Sequence, residues 1–321
     1  MSPFVSIIIP AFNTEGYLES VLNSLLSQSF ADFEIILIND GSTDGTASIC
    51  IIFYAKDSRI LYFDNENKGV ATTRNQALEL AQGQYVMFVD ADDIIYPDSL
   101  QAIVECLKET NADLLRFEFK TIDSEGRDLY PNYEAKRRHK YNGKVKSAPD
   151  FINKVMLHEF QLCFNVFRRS IIEDHHIRFL DGCTRNEDTL FLTEFFKHSQ
   201  THIYINNVVY GYRKYTGAVT SNFTQKNYLD VKSVFDSIMT SLPSDPALHK
   251  AIKSVGEHLG KSLYRYAKQA KDADTINSIV SHCSSNPQTI EWKLFPMLRH
   301  HIWPLLHFIH RISNLLLTIK T

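Results

Sequence analysis

The feature that most constrains the fold is a regular alternation of short apolar runs and amphipathic stretches over the first 120 residues. Four runs rich in β-branched and aromatic residues are typical of strands buried on both faces: 4–9, 33–38, 59–63 and 85–89. Three stretches with helical spacing lie between them: 16–28, 45–56 and 69–83. Because strands that alternate with helices pair in parallel through right-handed crossovers, the sequence predicts an α/β fold with a doubly wound, mainly parallel sheet.

The rest of the chain is less regular. Two further runs, 113–119 and 201–213, indicate strands. Four stretches indicate helices: 148–160, 187–199, 226–241 and 246–270. The polar, basic segment 123–146 has no clear period, and it is either a solvated surface loop or a contact for a bound acceptor.

Polar residues follow each of the first four predicted strands. These loops read "PAFN" (10–13), "NDGSTDGT" (39–46), "NENKG" (65–69) and "DADD" (90–93). In doubly wound sheets, ligands bind beyond the carboxyl ends of the strands, where such loops gather. We therefore expect the four loops to line one crevice.

The fourth strand runs directly into three acids, Asp90, Asp92 and Asp93. A divalent cation and a nucleotide diphosphate would neutralise this cluster, because carboxylate oxygens are ligands that Mg2+ and Mn2+ prefer. The alternative is an ordinary acidic helix start, with Asp93 or Asp98 near the beginning of the helix that follows Pro97.

In their order and spacing, these loops resemble those of the family-2 inverting glycosyltransferases, which have a GT-A fold. The match is close over residues 4 to about 95, and it continues thinly through "RNEDTLF" (185–191) and "YGYRKYTGAVTS" (210–221). The resemblance implies transfer of a sugar from a nucleotide diphosphate, usually UDP, to an acceptor hydroxyl, with Mn2+ or Mg2+ and inversion at the anomeric carbon. It implies a GT-A catalytic domain over 1–225, with a nucleotide-binding half (1–110) and an acceptor-binding half (111–225). A helical extension (226–290) and an amphipathic basic tail (291–321) would follow.

The resemblance also implies a set of donor-binding residues. Four residues are expected beside the nucleotide base: Pro10, Ala11, Phe12 and Asn13. Glu15 is expected near the ribose or the base. Asp40 would accept a hydrogen bond from the uracil imide, with Ser42 in the same pocket, although the family often has Asp where this chain has Asn39. Asn67, Gly69 and Arg74 would line the nucleotide and diphosphate side; for Arg74, a structural pairing with an acid is an equal alternative.

For the metal and the chemistry, the resemblance points to two pairs of acids. Asp92 is the expected metal ligand; Asp90 would contact the ribose or the metal through a water, with Ala91 beside the donor and Asp93 in support. An inverting transfer needs a base for the acceptor hydroxyl, and the resemblance places it on Asp188, with Glu187 as its orienting partner. The alternative is that both acids simply favour the macrodipole at a helix N-terminus.

Two further stretches bear on the acceptor side. Tyr212 and Arg213 match a segment that could close over the diphosphate, although Arg213 could equally be a structural residue at a strand end. Relatives commonly read N-K-L-F-x-R where this chain has "FNVFRRS", so Phe164 and Asn165 stand in the Asn and Lys positions. This departure puts the acceptor side of the predicted site in doubt more than the donor side.

The C-terminal tail is basic. Residues 292–321 hold four basic residues and no acid, so their net charge is +4. The net charge of the whole chain is −3, which leaves −7 for residues 1–291. An amphipathic helix with Trp303 and Phe308 could lie in an anionic membrane surface; packing on the domain or on a second subunit, which would make a homo-oligomer, is the alternative. Five scattered cysteines and a start without a signal pattern favour a cytoplasmic enzyme. The tail would place this enzyme peripherally on the cytoplasmic face of the inner membrane.

The resemblance, together with these patterns, implies a metal-dependent inverting glycosyltransferase that moves a hexose or N-acetylhexosamine from a UDP-sugar to a glycan. The acceptor would be a lipid-linked oligosaccharide in O-antigen, capsule or lipooligosaccharide biosynthesis. The net charge of −3 does not favour binding of nucleic acid. The alternatives are a non-catalytic sugar-nucleotide-binding protein and a nucleotidyltransferase on the related fold. A dehydrogenase and a P-loop enzyme are disfavoured, because neither G-x-G-x-x-G after the first strand nor G-x-x-x-x-G-K-[ST] occurs.

Overall fold

The structure is a computed structural model that describes residues 2–130, 132, 134–214 and 224–283. The chain divides into two compact units, residues 1–256 and 257–321. The first unit holds the sheet and the polar loops. The tail predicted over 291–321 lies outside the described residues, and the boundaries predicted at 225 and 290 remain predictions.

One sheet of nine strands organises the first unit. The strands are β1 (Val5–Ala11), β2 (Phe33–Asp40), β3 (Ile60–Asn65), β4 (Tyr85–Phe88), β5 (Ile94–Ile95), β6 (Leu114–Ile122), β7 (Asp128–Tyr130), β8 (Asn165–Arg168) and β9 (His202–Arg213). Their order is β3-β2-β1-β4-β8-β6-β9-β5, with β7 paired to β6. β1 to β4 are parallel, β8 is antiparallel to β4 and β6, and β9 is parallel to β6. The α/β fold predicted from the sequence is confirmed, and β5, β7 and β8 are additions to it.

The described helices are α1 (Leu18–Leu26), α2 (Thr46–Lys56), α3 (Val70–Leu80), α4 (Ser99–Thr110), α5 (Ala135–Arg138), α6 (Ala148–Phe151), α7 (Arg169–Asp174), α8 (Glu187–His198), α9 (Gln225–Thr240), α10 (Pro246–Ala270) and α11 (Ala273–His282). α1, α2 and α3 each lie between two parallel strands, as the alternating pattern predicts. Within the described residues, no helix is both long and apolar enough to cross a bilayer.

The helix predicted over 148–160 is much shorter than expected. After α6 the chain makes a π-helical turn, Ile152–Met156, and then leaves helical geometry at Leu157 and His158, which have φ angles of 49° and 70°. Two consecutive non-glycine residues in the left-handed region are unusual, and such backbone persists only when its surroundings hold it. The segment therefore becomes a turn that leads into a 3-10 helix at Leu162–Phe164 and then into β8.

The core lies on both faces of the parallel strands. Every residue of β2 is buried, and β1 is buried except at Pro10. Because the carboxyl ends of β1, β2, β3 and β4 share one edge of the sheet, the four polar loops predicted from the sequence open at that edge.

Candidate active site

The loops after β1 and β2 bind each other through side chain to backbone hydrogen bonds. The Asn13 N–H donates to Ser42 Oγ at 3.0 Å, and Asn13 Oδ1 accepts from the Thr43 N–H at 2.8 Å. Glu15 Oε2 accepts from the Gly45 N–H at 2.6 Å. These contacts hold Asn13 and Glu15, two of the residues predicted beside the base, against the loop that carries Ser42, and Phe12 is 48% exposed.

Asp40 ties the second loop to the third. Its two carboxylate oxygens accept the Lys68 and Gly69 N–H groups, each at 2.9 Å. Gly41 has a φ of 71°, and a Cβ built there would lie 2.5 Å from the Asn67 nitrogen, so only glycine fits this approach. Asp40, Asn67 and Gly69 are therefore brought together as predicted, with each Asp40 oxygen retaining a lone pair for a ligand.

Asn39, which stands where the family often has Asp, is buried. Its Nδ2 donates to Asp64 Oδ1 at 2.6 Å, and its Oδ1 accepts from the Ser42 N–H at 3.2 Å. The amide thus joins β2 to β3 and holds the loop that carries Ser42.

The acids after β4 differ in their surroundings. Asp93 is 1% exposed; its Oδ1 accepts from the Arg213 N–H at 2.6 Å, and burial, with the nearby charges of Asp90 and Asp92, raises the pKa of its carboxyl well above the ordinary value. Asp98, just before α4, makes no capping bond with its side chain. Asp98 thus stands at the start of α4, as the alternative interpretation of this cluster expected, whereas Asp93 bonds to Arg213 and not to the helix.

Three potential metal-ligating atoms approach one another within 4.8 Å, from Asp90, Asp93 and Cys163. Asp92, the ligand expected from the sequence, does not belong to this group, while its backbone carbonyl accepts from Arg213 Nε at 2.6 Å. The three adjoining acids nevertheless fit a hard divalent cation. Burial, and after it the charges of Asp90 and Asp92, raise the pKa of Asp93, and a cation would relieve both costs.

The Arg213 side chain bonds mainly to backbone carbonyls. Its Nη1 donates to the carbonyls of Asp123 and Ser124 at 2.8 and 2.6 Å, and its guanidinium lies over the Tyr17 ring. These contacts match the structural alternative for Arg213. Tyr212 lies edge-on to Phe119 and Phe164, and burial, with the charges of Cys163 and the three acids, raises the pKa of its hydroxyl.

Arg74 joins the two acidic parts of the site. Its Nη2 donates to Asp90 Oδ1 at 3.0 Å, while its Nη1 donates to Asp188 Oδ1 at 3.0 Å and Glu187 Oε1 at 3.2 Å. Its guanidinium packs over the Phe179 ring, with its carbon 5.5 Å from the ring centroid. Of the two roles that the sequence left open for Arg74, the structure places it in ion pairs with acids.

Glu187 and Asp188 begin α8, where the sequence put the base. Burial and the neighbouring Asp188 raise the pKa of Glu187 to about 7, and burial also raises the pKa of Asp188, against the attraction of Arg74. The Asp188 side chain is 25% exposed, and its Oδ2 accepts from the Leu162 N–H at 3.1 Å. A raised pKa and partial exposure are what a proton acceptor needs near neutral pH.

Three contacts of this site have no signature in the sequence. Leu162 acts through its backbone N–H, Cys163 faces the donor-side acids, and Phe179 supports Arg74 by stacking. Backbone donors carry no residue preference that a motif could record.

Comparisons with known proteins agree with this geometry. Residues 6–175, more than half of the chain, match the family Glycosyl transferase family 2. Glycosyltransferase GlyA of Streptococcus pneumoniae is 30% identical over 226 residues, 69% of this chain and 32% of GlyA; the uncharacterized glycosyltransferase EpsJ of Bacillus subtilis is 29% identical over 226 residues, 68% of this chain and 64% of EpsJ. The chain thus spans less than two thirds of either relative. The structure of TarS 1–349 of S. aureus in complex with UDP-GlcNAc superposes with a TM-score of 0.70 and 20% identity, covering 94% of this chain and 87% of that one, which shows the GT-A fold.

Proposed function

Because this chain belongs to glycosyltransferase family 2, we propose that it transfers a hexose or N-acetylhexosamine from a UDP-sugar to a glycan hydroxyl, with inversion at the anomeric carbon. One observation carries the proposal: Arg74 holds Asp90, at the donor loops, and the Glu187–Asp188 pair, at the start of α8, on one guanidinium. An acid at the loops proposed for the sugar donor and a candidate base therefore share one crevice. A direct displacement requires this arrangement.

In the proposed reaction, Asp188 takes the proton of the acceptor hydroxyl. The hydroxyl oxygen attacks the anomeric carbon from the side opposite the diphosphate, which leaves. Arg74 and the Leu162 N–H each bind one Asp188 oxygen, so the carboxylate cannot turn away from an incoming hydroxyl. Glu187, whose pKa burial raises, orients Arg74 without adding a full second charge beside the base.

We assign the donor to the interlocked loops after β1, β2 and β3. Asp40 accepts from the nucleobase, and Phe12 offers an exposed ring against which the base stacks. Asp90 and Asp92 would hold Mn2+ or Mg2+, whose charge stabilises the diphosphate as it leaves. The TarS complex with UDP-GlcNAc supports a UDP-sugar as donor class.

For the acceptor we propose a lipid-linked oligosaccharide in envelope glycan assembly, with the enzyme on the cytoplasmic face of the membrane. The support is the basic, acid-free composition of residues 292–321. Deleting these residues should reduce binding to anionic liposomes and spare turnover on a soluble acceptor; equal liposome binding by the shortened chain would contradict this placement.

The experiment for the reaction is a screen of UDP-sugars for acceptor-dependent UDP release, with Mn2+ and with chelator, on wild type and Asp188→Asn. We expect Asp188→Asn to lose turnover by about 10²- to 10⁴-fold while UDP affinity is unchanged, because the amide cannot accept the proton. Asp150→Asn, an exposed acid paired with Lys154, is the matched control and should keep wild-type turnover.

Other outcomes of the same screen identify the competing functions. Pyrophosphate release from a nucleoside triphosphate would indicate a nucleotidyltransferase. Tight UDP binding without turnover on any acceptor would indicate a non-catalytic binding protein. Full turnover by Asp188→Asn would remove that residue from the mechanism.

A further inference from the structure

The peptide group that joins Gln161 to Leu162 lies between the side chains of Asp188 and Asn165. On one side its N–H donates to Asp188 Oδ2 at 3.1 Å. On the other side its C=O accepts from Asn165 Nδ2 at 2.8 Å. Because a trans peptide is planar and its N–H and C=O point in opposite directions, fixing the carbonyl also fixes the direction of the N–H.

Asn165 is itself held in one orientation. It is fully buried, and its Oδ1 accepts from Arg116 Nη1 at 3.3 Å, so its Nδ2 must face the Gln161 and Leu162 carbonyls. An amide turned by half a rotation would set its NH2 group against the Arg116 guanidinium and its oxygen against two carbonyl oxygens. The Arg116 contact therefore determines which end of the amide meets the turn.

Arg116 is fixed by a buried network of charges. Its Nη2 donates to Glu159 Oε2 at 3.2 Å, and the same oxygen accepts from Arg138 Nη1 at 2.6 Å. Arg138 in turn donates to Glu118, and both arginines are fully buried. Glu159 also anchors the chain just after the left-handed residues Leu157 and His158, so the network holds a turn whose backbone is unfavourable by itself.

We propose that Asn165 is a positioning residue for the Asp188 carboxylate, acting through the Gln161–Leu162 peptide group. This inference rests on the proposed function, since Asp188 matters here as the base. The Leu162 N–H and Arg74 bind different oxygens of Asp188, and together they set the plane of the carboxylate that receives the proton.

The first test is Asn165→Asp. The new carboxylate keeps an oxygen for Arg116 but sets its other oxygen against the Gln161 carbonyl, so the peptide group turns and the N–H leaves Asp188. We expect kcat to fall on the order of 10- to 100-fold, with KM for the UDP-sugar within about twofold. The acid limb of the kcat profile should move to higher pH, because Asp188 loses a donor that stabilises its charged form.

Gln28→Glu is the matched control for that substitution. Gln28 is a buried amide that donates to the Ser24 and Tyr96 carbonyls and accepts from the Leu100 N–H, and none of these three partners belongs to the base or its turn. It should lose stability as Asn165→Asp does, yet keep the wild-type kcat and the wild-type acid limb. An equal fall in kcat for both variants would show that Asn165 acts only through stability.

A second variant removes the N–H itself and keeps the inference testable if Asn165→Asp fails to fold. Leu162 is the first residue of a 3-10 helix, and the preceding Gln161 has φ −67° and ψ 129°, so proline fits this backbone. Leu162→Pro should reproduce the kcat loss and the unchanged donor KM. Leu162→Ala, which loses the same buried side chain but keeps the N–H, should lose clearly less kcat than Leu162→Pro.

An activity-free measurement separates this inference from the proposed function. In protein labelled with 15N-leucine, the Leu162 amide signal, identified by its loss in Leu162→Pro, should shift in Asn165→Asp and in Asp188→Asn. An unmoved signal in Asn165→Asp, or equal kcat in Leu162→Pro and Leu162→Ala, would overturn the positioning role. A signal that moves while Asp188→Asn keeps full turnover would instead show that the link exists and that the assignment of the base is wrong.

Discussion

The two sides of the crevice are built from different kinds of contact. On the donor side, the loops after β1, β2 and β3 are tied by short hydrogen bonds between polar side chains and backbone N–H groups, as at Asn13, Glu15 and Asp40. On the acceptor side, the turn after α6 is held from behind by two buried arginines and two glutamates.

This difference has an energetic consequence. A hydrogen bond of these loops stabilises by about 1 kcal/mol where both partners are neutral, as at Asn13, and by about 1.5–3 kcal/mol at the Glu15 and Asp40 carboxylates. A buried ion that loses its partner is left uncompensated, which costs about 3–5 kcal/mol. The donor loops should therefore tolerate single changes, whereas the support of the acceptor side should not.

The largest expected effect comes from Arg138→Leu. This substitution leaves Glu118 and Glu159 without their shared cation, so we expect the free energy of unfolding to fall by about 3–5 kcal/mol. Arg137→Leu is the neighbouring control, because Arg137 is 65% exposed in its pair with Glu134 and should change stability by less than about 0.5 kcal/mol. Urea denaturation of both variants measures the contrast, and similar losses would break the comparison.

The next effect concerns Arg74, which connects the two sides. Arg74→Lys keeps the charge, but one ammonium cannot bridge Asp90 and the Glu187–Asp188 pair at once. We expect kcat to fall on the order of 100-fold, with a smaller change in stability. Arg178→Lys, at a partly exposed pair with Glu173, should leave kcat within about twofold. An equal change in both variants would show that Arg74 does not organise the crevice.

The pH dependence of stability tests the buried acid at the centre. Burial raises the pKa of Glu187 from 4.5 to about 7, so the folded protein holds this proton more tightly than the unfolded chain. The resulting stability is complete below about pH 4.5 and is lost as pH rises through about 7, by on the order of 3 kcal/mol. Glu187→Gln should flatten this slope, measured by denaturation from pH 5 to 8, whereas Glu105→Gln, on the exposed face of α4, should retain it.

The same contrast explains what the sequence could predict. The donor loops follow from local chemistry, because Asp, Asn and Gly in "NDGSTDGT" form their bonds through turns and close backbone approaches near the strand ends. The fold class followed from the alternating pattern for the same reason. The helix expected over 148–160 was wrong in its second half, since the turn at Leu157 depends on Glu159 and its distant arginines.

Contacts between distant residues were beyond the reach of the sequence. Arg74 meets Glu187 and Asp188 across 113 and 114 residues, and Arg116 meets Asn165 across 49. Periodicity records which face of an element is buried, but it does not record which buried charge meets which. The sequence could therefore name structural alternatives for Arg74 and Arg213, but it could not name the partners that these guanidinium groups meet in the folded chain.

The smallest effect isolates the close approach of two donor loops. Gly41 and Gly126 have φ angles of 71° and 83°, so alanine at either position carries a similar backbone cost of about 1–2 kcal/mol. Only at Gly41 would the new Cβ meet another atom, the Asn67 nitrogen at 2.5 Å, whereas nothing lies within 4 Å at Gly126. Gly41→Ala should therefore lose about 1 kcal/mol more stability than Gly126→Ala, and UDP affinity should fall by about tenfold only in Gly41→Ala. If both variants bound UDP equally well, the spacing between these two loops would not shape the donor pocket, and the donor side would be more tolerant than its contacts indicate.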